Sequence, residues 1–182
     1  MKKIAALMVA FSCIIIALLF STCKKDGSVA GQSKVNVRLK DAPAHCDKMK
    51  VHVKGFKIRL ENGQTLTFPI NDTIVDILQL QDTSLLLSTV NIPAGTITEV
   101  SIILGSQDTV TIGGVDYVLS LSAFDSSDYV LKINSPTLPG KTYTIIIDLN
   151  ANNSLMDDGD DGYGHHRWGL KPYLQGYCRR DD

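Results

Sequence analysis

None of the short signatures that mark a catalytic site occurs in these 182 residues: there is no G-x-S-x-G elbow, no H-E-x-x-H pair and no glycine-rich phosphate loop. Asp-Thr pairs stand at Asp72-Thr73, Asp82-Thr83 and Asp108-Thr109, but none is followed by the glycine that a catalytic Asp-Thr-Gly needs, so turn or capping duty suits them better. An excess of charge of one sign is also missing. With 18 basic and 19 acidic side chains, the chain offers no electrostatic footprint for nucleic acid. It has one tryptophan, no internal repeat and no long amphipathic helical pattern. These absences argue against an enzyme with a recognisable motif, against a nucleic-acid partner and against an α-rich fold.

Only one long apolar run exists, Ile4 to Phe20, broken by Ser12 and Cys13 alone and preceded by Lys2 and Lys3. Charge followed by an apolar stretch is the plan of a secretory signal. A spanning anchor is the competing reading, since a helix of that length is roughly 25 Å, the short edge of what crosses a bilayer. The run ends in Leu19-Phe20-Ser21-Thr22-Cys23, which resembles the lipobox of bacterial lipoproteins, with Phe20 and Thr22 at positions usually held by other residues. That resemblance implies cleavage after residue 22 and acylation of Cys23, each buried methylene contributing ~0.8 kcal/mol to a membrane anchor. Residues 24–33, "KKDGSVAGQS", are polar and aperiodic and read as a flexible tether of about 17 to 19 Å root-mean-square length. The expected organisation is a leader over 1–22, a lipidated cysteine and tether over 23–33, and one folded domain over 34–182. The expected location is the cell envelope, lipid-anchored, at an outer membrane facing the periplasm or the cell surface.

Removal of Lys2 and Lys3 with the leader leaves 16 basic against 19 acidic side chains, a mildly acidic domain large enough for a real core. Cys46 and Cys178 are the cysteines that remain once Cys13 and Cys23 are set aside, and an exported compartment favours their pairing as a disulfide.

From Val35 onward the dominant period is two. Val35, Val37 and Leu39 alternate with polar residues, as do Val100, Ile102 and Leu104; Tyr129, Leu131 and Ile133; and Tyr143, Ile145, Ile147 and Leu149. In the stretch 49–60 the apolar parity changes, from Met49, Val51 and Val53 to Phe56, Ile58 and Leu60, which predicts a bulge at Gly55. A three-residue loop Glu61-Asn62-Gly63 would set Ile58 opposite Leu66 and Phe56 opposite Phe68, with Gly63 in the left-handed position. A two-residue loop at Gly113-Gly114 would set Ile112 opposite Val115 and Val110 opposite Tyr117. Between this first hairpin and Pro93 the pattern is ambiguous, compatible with a strand over Ile74 to Leu80 and a helical turn near Leu85 to Leu87. The fold class that follows is all-β: an antiparallel β-sandwich, immunoglobulin-like or prealbumin-like, of about eight strands.

Several stretches in order, "VNVRLKDAPAHCDKMKVHVKGFKI", "VDILQL", "IPAGTITEVSIIL", and "LNANNSL" followed by "WGLKP", resemble the bacterial lipoprotein family known as domain of unknown function 4382, DUF4382. The resemblance covers Val35 to about Tyr173 and rests chiefly on Asp41-Ala42-Pro43, Pro93-Ala94-Gly95 and Leu170-Lys171-Pro172. It implies an exported β-sandwich and brings no activity with it. Asp41 is expected to accept a local backbone bond in an Asx-turn, and Pro43 to stop the strand ladder.

One stretch has the look of a metal loop: "DLNANNSLMDDGDDGYGHH", residues 148–166. Asp148, Asn150 and Asn152 match the first oxygens of a calcium EF-hand, but Asn153 stands where glycine belongs and Gly159 where the bidentate glutamate belongs. A looser calcium site from Asp157, Asp158, Asp160 and Asp161 competes with a solvated acidic hairpin, and the hairpin is the favoured reading. His165 and His166 are adjacent, so on a strand they face opposite ways and cannot readily share a metal. Trp168, with Tyr163 and Tyr173 nearby in sequence, is either a core residue or part of an aromatic sugar-binding platform. No cofactor is required by this reading, calcium aside. The function expected is a lipid-anchored, non-catalytic module that binds a protein or glycan at the envelope; a structural envelope component, or a calcium-dependent adhesion module using residues 157–161, is the alternative.

Overall fold

The computed structural model describes residues 31–41, 43–121, 129–160, 162–163 and 165–181. The leader, Cys23, most of the tether and Asp161 lie outside the described residues. In chain order the strands are β1 (Gln32–Lys40), β2 (Lys48–Leu60), β3 (Thr65–Asp76), β4 (Leu85–Pro93), β5 (Thr96–Leu104), β6 (Thr109–Ile112), β7 (Val115–Leu121), β8 (Tyr129–Pro136), β9 (Thr142–Leu149), β10 (Leu155–Asp160), β11 (His166–Leu170) and β12 (Leu174–Asp181). A 3-10 turn, Ile77–Leu80, follows β3, and a single helical turn, α1 (Ala151–Ser154), follows β9.

The strands form a sandwich of two sheets. The smaller has the order β12-β9-β1-β4; the larger runs β10-β11-β7-β6-β2-β5-β8, with β3 on the other side of β2. Both sheets are mixed, because β1 lies parallel to β9 and β11 parallel to β7. The expected all-β sandwich is what the chain forms; among the described residues it has twelve strands rather than about eight, and two of the pairs are parallel rather than antiparallel. Alternation fixes which face a side chain takes, whereas the direction of pairing between strands about a hundred residues apart is set by the tertiary path and leaves no local signal.

The core lies between the sheets. From the smaller come Val35, Val37 and Leu39 of β1 and Ile145, Ile147 and Leu149 of β9, all 0% exposed; from the larger come Val51, Phe56 and Ile58 of β2 with Ile97 and Val100 of β5. The parity change in β2 is resolved as predicted. The register against β5 slips between Val53 and Gly55, so that Lys54 is the extra residue and both apolar triplets, 49-51-53 and 56-58-60, face the core. Glycine is required at 55, where a Cβ would stand 2.5 Å from the Phe68 carbonyl oxygen.

Both hairpin registers match their prediction. Phe56 pairs with Phe68 and Ile58 with Leu66, and Gly63, at φ 84°, donates its N–H to the Leu60 carbonyl at 2.9 Å. Ile112 pairs with Val115 and Val110 with Tyr117 across Gly113 and Gly114, whose φ values of 58° and 78° are those of a type I′ turn.

The ambiguous stretch resolves differently from the expectation. Ile77–Leu80 is a 3-10 turn rather than the end of a strand, burying Ile77 and Leu80 at the three-residue spacing such a turn brings to one side. Leu85–Leu87 is not helical but opens β4. Val37 pairs with Ser88 and Arg38 with Leu86, which leaves Leu87 as a bulged residue; that extra residue breaks the alternation and made three leucines look like a cluster.

Candidate functional site

Four strands of the larger sheet, β6, β7, β11 and β10, form a wing that packs Val110, Leu119 and Leu170 into the core and joins the β2 ladder through a short seam. Only Lys48, Met49 and Lys50 of β2 pair with β6. The wing tip is held a second time where Asp47 donates its N–H to the Thr111 carbonyl and accepts the Gly114 N–H through Oδ2, each at 2.9 Å.

The parallel register of the wing sets Trp168 level with Leu119, so His166, two residues earlier, lies level with Tyr117. The three rings meet there. Tyr117 and Trp168 have centroids 6.4 Å apart, Tyr117 and His166 6.5 Å, and His166 and Trp168 5.0 Å. All three are half-buried, and Trp168 also packs against the core, with its Nε1 buried and without a hydrogen-bond partner among the described residues. Trp168 thus serves both as a core residue and as the floor of a half-buried aromatic shelf.

The acidic run forms the rim of this shelf. A bulge between Asp157 and Gly159 turns the run over, so Asp157 and Asp160 both reach His166: Asp157 Oδ1 lies 2.9 Å from Nε2, and Asp160 Oδ1 lies 3.3 Å from Nδ1. Asp157 Oδ1 also accepts the Gly159 N–H at 2.8 Å. Asp158 is sent to the other face, where its carboxylate packs against Gly169. The four aspartates expected to share a cation are therefore not gathered: two bind one histidine, Asp158 faces away, and Asp161 is outside the described residues. Among the described residues no three His, Cys, Asp or Glu side chains are arranged to hold a metal ion.

The EF-hand-like oxygens diverge as well. Asp148 lies on β9, Asn150 caps α1 by accepting the Asn153 N–H at 3.0 Å, and Asn152 Oδ1 meets His45 Nδ1 at 2.8 Å. The tyrosines nearest Trp168 in sequence are not its partners. Tyr163 is 87% exposed near the tip of the β10–β11 hairpin, and Tyr173 lies in the connection to β12, its N–H donated to Ser154 Oγ at 2.8 Å. Sequence reasoning missed Tyr117 as a shelf residue because the parallel pairing of β7 with β11 joins segments some fifty positions apart, whereas His166, two positions before Trp168 on β11, shares its face by strand alternation alone. The Gly113-Gly114 hairpin did fix the face of Tyr117, the one signal that pointed toward it.

The stretches that carry the family resemblance converge elsewhere, at one end of the sandwich. Asp41 is buried and reaches across the fold. Its Oδ1 accepts the N–H of Ala151 at 3.0 Å, from the stretch "LNANNSL". Ser154 then accepts the Lys171 N–H through its carbonyl and the Tyr173 N–H through its hydroxyl, both at 2.8 Å, while Asn150 donates its N–H to the Tyr173 carbonyl at 3.1 Å. Asp-Ala-Pro, Asn-Ala-Asn-Asn-Ser and Leu-Lys-Pro are thus parts of one buried joint. Its polar groups satisfy each other's backbone, which is a structural role.

Cys46 and Cys178 are free thiols, a correction to the expected disulfide. Cys46 sits in the loop before β2; burial first, then the carboxylates of Asp41, Asp47 and Asp76, push its thiol up. Cys178 lies on β12 opposite Ile145, and burial pushes its thiol up against a hydrogen bond with Ser135. Each side chain is committed to packing in its own neighbourhood, and both are poorer thiolates than a free cysteine.

Three surface grooves, of about 340, 330 and 470 Å³, are lined respectively by Leu60 and Glu61, by Tyr143 and Arg180, and by Lys40, Asp82 and Arg179; none of the three holds a pair of carboxylates.

Fold and shelf together define an all-β sandwich domain of two mixed sheets with a half-buried aromatic cluster. The chain belongs to the family described as domain of unknown function, DUF4382, whose model matches residues 32–172. No curated protein matches the sequence. A crystal structure from Bacteroides eggerthii, described as that of a "putative cell adhesion protein", is similar at 12% identity and a TM-score of 0.33, over 82% of this chain; the chain spans 55% of that structure's length. A likeness so slight carries no argument about function.

Proposed function

We propose that the chain is an exported, non-catalytic binding module, and that the Tyr117–His166–Trp168 shelf receives a sugar ring of an envelope glycan. The observation that carries the proposal is the pairing of two half-buried aromatic rings with carboxylates at their edge. Aromatic faces match the C–H side of a sugar, while Asp157 and Asp160 can accept hydrogen bonds from its hydroxyls. The anchor belongs to the same proposal: a leader over 1–22, acylation of Cys23, and a tether that holds the domain from 34 to 182 close to a membrane, at the outer membrane of the cell envelope. Among the described residues no helix is long and apolar enough to cross a membrane.

Trp168 is the sole tryptophan, so its emission reports directly on the shelf. Titration with oligosaccharides is expected to give a saturable emission change that Tyr117→Ala abolishes with the fold intact. An emission that no oligosaccharide moves would remove the glycan from the proposal. Metabolic labelling with palmitate, compared between the parent and Cys23→Ala, tests the anchor; an unlabelled parent would count against it.

A further inference from the structure

At the root of the wing the β2 ladder changes partner. Val53 still pairs with Leu104 of β5, and Lys50 already pairs with Thr109 of β6; between them, His52 has no strand opposite it on that side. Its backbone is satisfied from the β5–β6 connection instead. Gly105 donates its N–H to the His52 carbonyl at 2.7 Å, and the Asp108 carboxylate accepts the His52 N–H at 2.6 Å. The Asp108 carbonyl also accepts the Leu119 N–H of β7 at 2.9 Å. One aspartate therefore ties β2 to β7 at the start of β6.

This tie is buried and incompletely satisfied. Asp108 is 0% exposed and His52 5%, and both Asp108 Oδ2 and His52 Nδ1 are buried without a hydrogen-bond partner among the described residues. The imidazole packs so closely on Gly105 that a Cβ there would overlap Nδ1. The charged groups facing the pair are few. From β3 comes exposed Asp72, 3.7 Å from His52 Nε2, and one pair further along β2, Lys50 lies opposite Asp76. β7 brings the Leu119 backbone, and β5 brings Leu104 and Gly105, none of them ionisable.

We infer that Asp108 and His52 form a protonation-dependent hinge, closed when the Asp108 carboxyl is neutral and loosened when it is charged, through which pH governs how firmly the wing is held to the sandwich. Burial pushes the Asp108 carboxyl above the usual carboxylate range, opposed less strongly by the His52 N–H and by the His52 ring. A carboxyl raised on folding holds its proton more tightly in the folded chain. The cost of its charge is fully present above the raised value and disappears as pH falls below the ordinary one, so the seam is stronger in acid. The consequence for the shelf, that ligand binding weakens as the hinge loosens, rests on the glycan proposal; the hinge does not.

Urea unfolding of the full-length protein, followed both by Trp168 emission for the wing and by far-ultraviolet circular dichroism for the whole fold, tests this at about pH 3, below the ordinary carboxylate value, and at about pH 7.5. The two midpoints are expected to coincide in acid and to separate at the higher pH, with Trp168 changing first. Asp108→Asn, which keeps the acceptor oxygen and removes the charge, should bring them together at both. Coincident midpoints in the parent at both pH values, or a separation that survives Asp108→Asn, would overturn the hinge. Should that variant fail to fold, the His52 amide resonance of the parent decides: it is expected to titrate with a midpoint above the ordinary carboxylate range, and a resonance that does not would overturn the inference. A hinge that titrates in a protein whose Trp168 responds to no oligosaccharide supports the hinge and counts against the glycan alone.

Discussion

The sandwich and the wing are built from the same kind of strand but held together differently. In the sandwich, β1, β9, β2 and β5 interleave apolar side chains that are almost wholly removed from water. In the wing, Val110, Leu119 and Leu170 reach the same core, but beside them stand half-buried rings, carboxylates around a histidine, and a buried aspartate that takes the place of a strand opposite His52. Apolar burial is non-directional and tolerant, so it gives the body its stability. Polar geometry is directional and easily upset, so it is where a site and a response to pH can reside.

Substitutions can separate the two regions. Phe56→Ala, in the middle of the core and stacked on Phe68 at 5.2 Å, is expected to have the largest effect, about 3–5 kcal/mol in urea unfolding, lowering the whole fold as one transition. A comparable loss confined to the wing would mean that the body does not depend on this core. Asp41→Ala should cost about 1–3 kcal/mol, because it leaves the buried N–H of Ala151 without an acceptor; a neutral result would show that the joint between the family stretches does not hold the end of the sandwich. Gly105→Ala should displace the His52 ring and detach the wing, seen as an early Trp168 transition, with the β1–β9 core little changed in amide exchange. Asp157→Asn, at a half-exposed pair, should change stability by less than about 1 kcal/mol while weakening any oligosaccharide response of Trp168. Smallest of all, a reductant should leave the unfolding midpoint where it is, since Cys46 and Cys178 are both free.

What the sequence made legible divides along the same line. The body's faces, the bulge at Gly55 and the registers of both glycine hairpins follow from period two and turn chemistry, which are local. β4 was hidden by the bulge at Leu87, and β10 by aspartates and a glycine, residues that pass for a loop yet are tolerated on an edge strand that pairs with β11 alone. The shelf was half legible: Trp168, the acidic run and His166, two positions before Trp168, could be singled out, while Tyr117 was joined to them only by a parallel pairing that no local pattern encodes. Asp108 was legible as an Asp-Thr pair without a catalytic sequel, but its burial depends on where β2 exchanges β5 for β6. The disulfide was argued from compartment alone, and the separate packing of the two thiols overrode it.

The central claim is that the wing presents Trp168 and Tyr117 as a ligand-receiving shelf. Trp168 emission during titration of the folded protein with envelope oligosaccharides, with Tyr117→Ala measured beside it, tests this most directly. The account predicts a saturable shift in the parent and none in the variant; an unchanged parent emission, or an identical shift in both, would contradict it.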